Sequence, residues 1–242
     1  MQNKIHIQVH YPLVTTIKEL WKTATLLCRA KPEVLCSWFD RETEKIRLCL
    51  LLILVCGALY GMTLGVWRSP LQAVYVAVKF PLLIVLTMLG TGLINGMLAQ
   101  LLGIAISFRQ SLLAVLMSFA LLSLILASFS PLLLFLVYNL PPMGSEGAGA
   151  GHRVLLLVNV AIITLSGLLA NIHLYTLLVH ICRTSSTALQ LLFTWLTVNM
   201  FLGCQLSWNL RPFFGSPALP VRFLRDDPFA HSFYEAIYRM LF

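Results

Sequence analysis

The fold is decided by the stretch Leu48-Cys-Leu-Leu-Leu-Ile-Leu-Val-Cys-Gly-Ala-Leu-Tyr-Gly-Met-Thr-Leu-Gly-Val-Trp67, which holds 20 residues and no charged side chain. The hydrocarbon core of a bilayer is about 30 Å thick, and an α-helix needs about 20 apolar residues to cross it. This stretch therefore predicts a transmembrane helix, with Trp67 and Arg68 at the far interface.

The composition of the whole chain agrees with this prediction. Of the 242 residues, 59% are hydrophobic and 11% are charged, and the mean hydropathy is +0.86. A soluble domain carries about 25% charged residues. These values exclude a soluble globular enzyme and a disordered chain.

Four further apolar segments complete an all-α polytopic transmembrane helix bundle of about five spans, which occupies residues 48–209. The predicted spans cover residues 48–67, 81–103, 111–138, 153–181 and 188–209. Pro131 lies late in the third span and is expected to kink it. The Gly-rich and Pro-rich residues 139–152 are expected to form a flexible loop.

The second span allows more than one interpretation because Pro70 and Pro81 divide residues 69–103. We predict a short interfacial helix over residues 70–79, with Lys79 reaching outward to the interface. In the competing interpretation, the span begins at Leu71 and Lys79 lies inside the membrane. A re-entrant pair of helices in this segment is a third possibility.

Amphipathic helices are predicted at both ends of the bundle. Residues 1–47 carry eight of the 17 lysines and arginines and suit a cytoplasmic basic segment with two helices, the second over Glu33–Arg47. Residues 210–242 combine a Pro-rich turn with a last helix that is predicted to begin at Asp227, with Pro228 in its first turn. The last helix is too short to span, so it either lies on the membrane or packs on the bundle.

The cations also predict orientation and partners. The first 15 residues contain no apolar signal-peptide core, and the N-terminal cations favour a cytoplasmic N-terminus. Five spans then place the C-terminus outside, which conflicts with the four arginines of the tail. The net charge of +8 is not clustered like a nucleic-acid footprint. We expect membrane lipids as partners and no nucleic acid.

Glycines spaced four apart predict close helix packing in the first two spans. They are Gly57, Gly61 and Gly65 in the first span and Gly92 and Gly96 in the second. Such glycines form grooves in which another helix backbone approaches closely. They favour a non-enzymatic membrane scaffold or accessory subunit, which associates through these faces with itself, as a homo-oligomer, or with another membrane protein.

A polar stripe in the fourth span carries the alternative function. Asn159, Ser166, His173 and His180 recur every seven residues, so they share one helix face over about 32 Å. The stripe either lines the path of a channel or transporter or forms hydrogen bonds between helices. The predicted spans contain no Asp or Glu, which argues against an ion-coupled transporter.

Three side chains are predicted to contact the interface or its lipids: Lys79, Trp208 and Arg211. Trp208 and Arg211 flank the end of the fifth span, beside an Arg-Pro-Phe turn. The turn either recognises a lipid headgroup or a partner, or it anchors the span and folds the tail back onto the bundle.

No catalytic, metal-binding or cofactor motif is visible. The six cysteines lack C-x-x-C spacing and are expected to be free thiols. Sequence signatures of serine hydrolases, zinc proteases and phosphate-binding loops are absent. His173 and His180 would stand about 10 Å apart on one helix, too far to hold one iron. We expect no enzyme, no metal and no cofactor.

Two elements carry a resemblance to known families. Tyr60-Gly61 and the five-span arrangement resemble Yip1-type membrane proteins. Trp208-Asn-Leu-Arg-Pro-Phe-Phe-Gly-Ser-Pro217, together with Ala77-Val-Lys-Phe-Pro81, resembles a group of functionally uncharacterised bacterial multi-span membrane proteins. The second resemblance implies a bacterial inner membrane and no particular activity.

Overall fold

The computed structural model describes residues 12–29, 31–182, 184–215 and 220–241, and all regular secondary structure within them is helical. The helices are α1 Pro12–Arg29, α2 Pro32–Cys36, a 3-10 turn Ser37–Arg41, α3 Glu42–Val66, α4 Pro70–Leu101, α5 Phe108–Ser128, α6 Ser130–Asn139, α7 Ala148–Ile181, α8 Ser185–Asn209 and α9 Phe233–Leu241.

Five helical segments are long and apolar enough to cross a membrane. They are α3, α4, the pair α5–α6, α7 and α8, and their lengths run from 24 to 34 residues. The predicted all-α bundle of five spans is therefore confirmed, and the chain is an integral membrane protein. The third span breaks at Phe129, immediately before the helix start that contains Pro131.

Hydroxyl side chains begin the helices after three of the turns. Ser69 accepts a hydrogen bond from the backbone N–H of Gln72, and Thr184 accepts one from Thr187. Ser107 forms a reciprocal capping box with Gln110. Each cap satisfies a backbone donor that the first turn of a helix leaves open, which fixes where the next span begins.

The second span differs from its prediction, because α4 is one uninterrupted helix from Pro70 to Leu101. Pro81 lies inside it and faces Gly57 of α3, where a β-carbon on the glycine would meet the proline Cβ at 3.4 Å. Packing against a neighbouring helix makes a proline tolerable within a span. The prediction of a separate interfacial helix over residues 70–79 was therefore wrong, and Lys79 lies within α4.

The α3–α4 pair is antiparallel and uses the predicted glycines. A β-carbon on Gly61 would lie 2.5 Å from the carbonyl oxygen of Val76, and one on Gly65 would lie 2.6 Å from Ala73 Cα. The two backbones are therefore in direct contact at both positions. This face joins two helices of one chain, so the prediction that it joins separate proteins is corrected.

The glycines of α4 are covered from within the chain as well. A β-carbon on Gly92 would meet Leu112 at 3.2 Å, and one on Gly96 would meet Phe108 at 2.8 Å, both on α5. Next to them, Asn95 ties α4 to α8: its side-chain nitrogen donates to the side-chain oxygen of Asn199, and its backbone carbonyl accepts from the Trp195 indole at 2.8 Å.

The ends of the chain also differ from prediction. Glu42–Arg47 belong to α3, whereas the sequence placed them in a separate helix with Glu33. At the other end, α9 begins at Phe233 because Ser232, five residues after the expected start at Asp227, accepts from the backbone N–H of Glu235 at 3.0 Å. Helix α9 packs on α8, where the Tyr234 and Phe201 rings stack at 4.7 Å.

Helix α7 begins at Ala148, within the segment that was predicted to be a flexible loop. Gly151 explains the early start, because its missing side chain leaves room for Pro141 and Trp67 at 3.3 and 3.6 Å from the β-carbon position. The Trp67 indole donates to the Pro141 carbonyl at 3.3 Å. These contacts hold the first turn of α7 against the end of α3.

Candidate functional site

The first residue of the polar stripe of α7, Asn159, is hydrogen-bonded to another helix of the bundle. Asn159 is fully buried; its side-chain oxygen accepts from the Tyr60 hydroxyl at 2.9 Å, and its nitrogen donates to the Leu155 carbonyl at 2.7 Å. Ser166 is also fully buried, and its hydroxyl has no hydrogen-bond partner among the described residues. Asn159 thus ties α7 to α3.

The histidines of the stripe have different surroundings. His173 is half-buried, with Nδ1 2.9 Å from the Leu169 carbonyl of its own helix, and His180 is exposed. The cavity beside His173 has a volume of about 20 Å³. A space of that size holds about one water molecule. It does not amount to a water-filled path at His173.

A second candidate site lies at the opposite end of the bundle from α1, where the chain leaves α8. The turn after Asn209 runs through Arg211, Pro212 and Phe213 and lies against the first turns of α4. The Gln72 side-chain nitrogen donates to the carbonyls of Pro212 and Phe213 at 3.0 and 3.1 Å. Two elements 140 residues apart in sequence are thereby held together.

Lys79 completes this attachment from within the membrane-spanning helix. Its side chain is fully buried, and Nζ donates to the Pro212 carbonyl at 3.0 Å. Nζ also lies 4.9 Å from the centre of the Phe223 ring. Within the described residues, no carboxylate lies within 4.0 Å of it. The prediction that Lys79 reaches outward to the interface was wrong.

Trp208 and Arg211 lie together, with the guanidinium carbon 3.1 Å from the indole ring centre. The Trp208 indole nitrogen donates to the His231 carbonyl at 2.9 Å, so the tryptophan holds the tail. The Arg211 Nε is buried and has no hydrogen-bond partner among the described residues. Burial and the nearby Arg225 guanidinium both lower the pKa of Arg211.

The turn, the start of α7 and residues 220–226 of the tail line an open cavity of about 580 Å³. Three arginines line it, namely Arg211, Arg222 and Arg225, together with one acid, Asp226. His152 of α7 also lines it, and its Nδ1 is buried without a hydrogen-bond partner among the described residues. We refer to this space as the tail cavity.

Sequence reasoning identified Arg211 here but missed Gln72, His152, Arg222 and Arg225 as members of one site. They lie on three separate segments, and no local motif connects them. The available signal was the excess of arginine in the tail, which we interpreted only as a conflict over orientation.

In the part of the chain that the structure describes, no group of three or more His, Cys, Asp or Glu side chains is placed to hold a metal ion. The chain matches no protein-family model, no curated protein and no solved structure. The resemblances drawn from Tyr60-Gly61 and from residues 208–217 therefore stay predictions.

Proposed function

We propose that this integral membrane protein is a non-enzymatic scaffold or accessory subunit that pairs with a second copy of itself through the outer face of α7. This face consists of Thr164, Gly167 and Asn171, near the middle of the span. Only 28% of the α7 span and 22% of the α8 span are buried, against 56% of α3. These two helices therefore have the most surface left for a partner.

The observation that carries the proposal is the polar, open character of this face. A β-carbon on Gly167 would meet nothing within 4 Å, and Thr164 is exposed. Asn171 is partly exposed; its nitrogen donates to the Gly167 carbonyl at 2.8 Å, and its side-chain oxygen accepts no hydrogen bond among the described residues. An unpaired amide oxygen facing hydrocarbon is costly, and glycine permits close approach of another helix.

A second copy suits this face because the two-fold pairing is self-complementary. With Gly167 at the crossing point, the Asn171 amide of each copy meets that of the other, donor to acceptor. The predicted alternative, a channel or transporter along the stripe, needs a water-filled path past Asn159 and Ser166. Both side chains are fully buried, which favours assembly over transport.

Gly167→Leu should convert the dimer into a monomer, because the new side chain fills the space that the second helix needs. Asn171→Leu should weaken dimerisation about 7- to 300-fold, the range expected for the loss of two interhelical hydrogen bonds, one donated by each copy. Native mass spectrometry of the protein released from lipid nanodiscs, over a series of protein-to-lipid ratios, measures both effects.

The matched controls are Gly149→Leu and Asn139→Leu. Gly149 is also open, and the Asn139 nitrogen donates to the carbonyl four residues earlier in the same way, but both lie away from the middle of the spans. A wild-type protein that is monomeric at every ratio, or a dimer that both α7 substitutions leave intact, contradicts the proposal. A monomer bound to a different membrane protein makes the chain an accessory subunit instead.

We propose that the protein lies in a bacterial inner membrane and that its N-terminus is on the cytoplasmic side. Cys28 is exposed near the end of α1, and Ser145 is exposed in the loop before α7, at the other end of the bundle. In single-cysteine variants, a membrane-impermeant maleimide should label Ser145→Cys in intact bacterial cells, and Cys28 only after permeabilisation. The reverse pattern would invert the orientation.

A further inference from the structure

One wall of the tail cavity, the turn at Pro212 and Phe213, is held in place by side chains of the membrane-spanning helix α4. Gln72 and Lys79 donate three hydrogen bonds to the carbonyls of Pro212 and Phe213. The Arg211 guanidinium is held against Trp208, whose indole is bonded to the tail. A cavity built on such contacts presents Arg211 in a defined direction, which lowers the entropy cost of binding a ligand.

Cationic side chains outnumber the acid within this cavity. Asp226 is already paired with Arg222. Arg225 has no carboxylate within 4.0 Å among the described residues, and the buried Arg211 Nε has no partner there. Two guanidiniums therefore face one space without a counter-charge, an arrangement that an anion would stabilise.

The cavity also has an apolar side. Leu156 of α7 and the Phe213 and Phe214 side of the turn line it beside the arginines. The start of α7 and the turn that follows α8 line it, and both lie where membrane-spanning helices begin or end, which puts the cavity at the membrane interface. The two guanidinium groups of Arg211 and Arg225 beside an apolar wall suit a phosphate group. The phosphate could be part of a lipid headgroup or a soluble ion.

We propose that the tail cavity is a phosphate-binding site at the membrane interface, in which Arg211 and Arg225 hold the phosphate beside the Arg222–Asp226 pair. The site is independent of the proposed dimer, because no residue of the outer face of α7 lines it.

Binding is tested on the full-length protein with two probes. The first is inorganic phosphate, added to protein in a neutral detergent. The second is phosphatidic acid in phosphatidylcholine nanodiscs, compared with phosphatidylcholine alone. The readouts are the temperature of thermal unfolding and the number of lipids retained in native mass spectra.

The test variant is Arg225→Gln, and the control is Arg109→Gln, an exposed arginine at the other end of the bundle. Arg225→Gln should weaken binding of the effective probe about tenfold, as expected for the loss of one charge-assisted hydrogen bond, while Arg109→Gln should not. Without a ligand, Arg225→Gln should unfold at the same or a higher temperature, since it removes repulsion from Arg211.

The two probes separate the sources of the phosphate. A response to inorganic phosphate that Arg225→Gln weakens identifies a soluble ligand. A response confined to phosphatidic acid and weakened by the same substitution identifies a lipid headgroup. No difference between wild type and Arg225→Gln with either probe, or an equal loss in Arg109→Gln, overturns the proposal.

Discussion

Gly61→Ala should destabilise the bundle by about 3 kcal/mol or more, whereas Gly57→Ala, four residues earlier on the same helix face, should change its stability by less than about 1 kcal/mol. The added methyl group on Gly61 would lie 2.5 Å from the Val76 carbonyl oxygen, but on Gly57 it would lie 3.4 Å from Pro81. The first contact is with backbone, which cannot move aside as a side chain does, so α3 and α4 must separate.

This difference is measured as the free energy of unfolding in detergent mixtures of increasing sodium dodecyl sulfate content. Gly65→Ala should resemble Gly61→Ala, because its methyl group would lie 2.6 Å from Ala73 Cα. Gly149→Ala, where the structure leaves open space, is the second control. Equal stability of Gly61→Ala and Gly57→Ala would show that the two backbones are not in contact.

The double variant Gln72→Leu with Lys79→Met should release the C-terminal tail without weakening the bundle. It removes the three donors that hold the carbonyls of Pro212 and Phe213. With about 1 kcal/mol for each of the two neutral hydrogen bonds and about 1.5 kcal/mol or more for the charged one, the detached tail should be populated about 300-fold more often or beyond. Trypsin cleavage after Arg222 and Arg225 should accelerate accordingly.

The stability of the bundle should stay the same or rise in this variant. Lys79 is fully buried without a nearby carboxylate in the described residues, and a side chain without charge lacks its desolvation cost. The control exchanges an exposed pair, Gln190→Leu with Lys18→Met. A tail that remains resistant to trypsin would mean that the contacts of α9 with α8 suffice to hold it.

The spans were predictable from sequence because lipid imposes a simple composition rule. A long apolar stretch without charges, such as residues 48–67, is stable as a helix that crosses the hydrocarbon core. The number of such stretches therefore predicted the number of spans. The glycine spacing was equally informative about close packing. It did not identify the partner, because Gly61 fits an α4 backbone and a foreign helix equally well.

The errors at α4 came from local rules that distant contacts override. Proline usually interrupts a helix, and lysine usually reaches toward water. Here Gly57 accommodates Pro81, and the Pro212 carbonyl accepts from Lys79. The sequence near residues 79–81 contains no signal that identifies Gly57 or Pro212 as the contacting residue.

The tail cavity was beyond prediction for the same reason. Arg211 and His152 meet only because the end of α8 and the start of α7 lie at one end of the bundle. The start of α9 was likewise not predictable from the local sequence alone. Asp227-Pro228 and Ser232 are both good helix starts, and packing of Phe233 against Trp208 accompanies the second.

The bond between Lys79 and Pro212 also sets an order of events during synthesis. The lysine emerges from the ribosome 133 residues before its acceptor. At the usual rate of about 5 to 20 residues per second, the acceptor follows roughly 7 to 27 s later. For that interval α4 enters the membrane with an ammonium group that has no final partner. The nascent chain must then keep this end of α4 near water or the insertion machinery until the last span is complete.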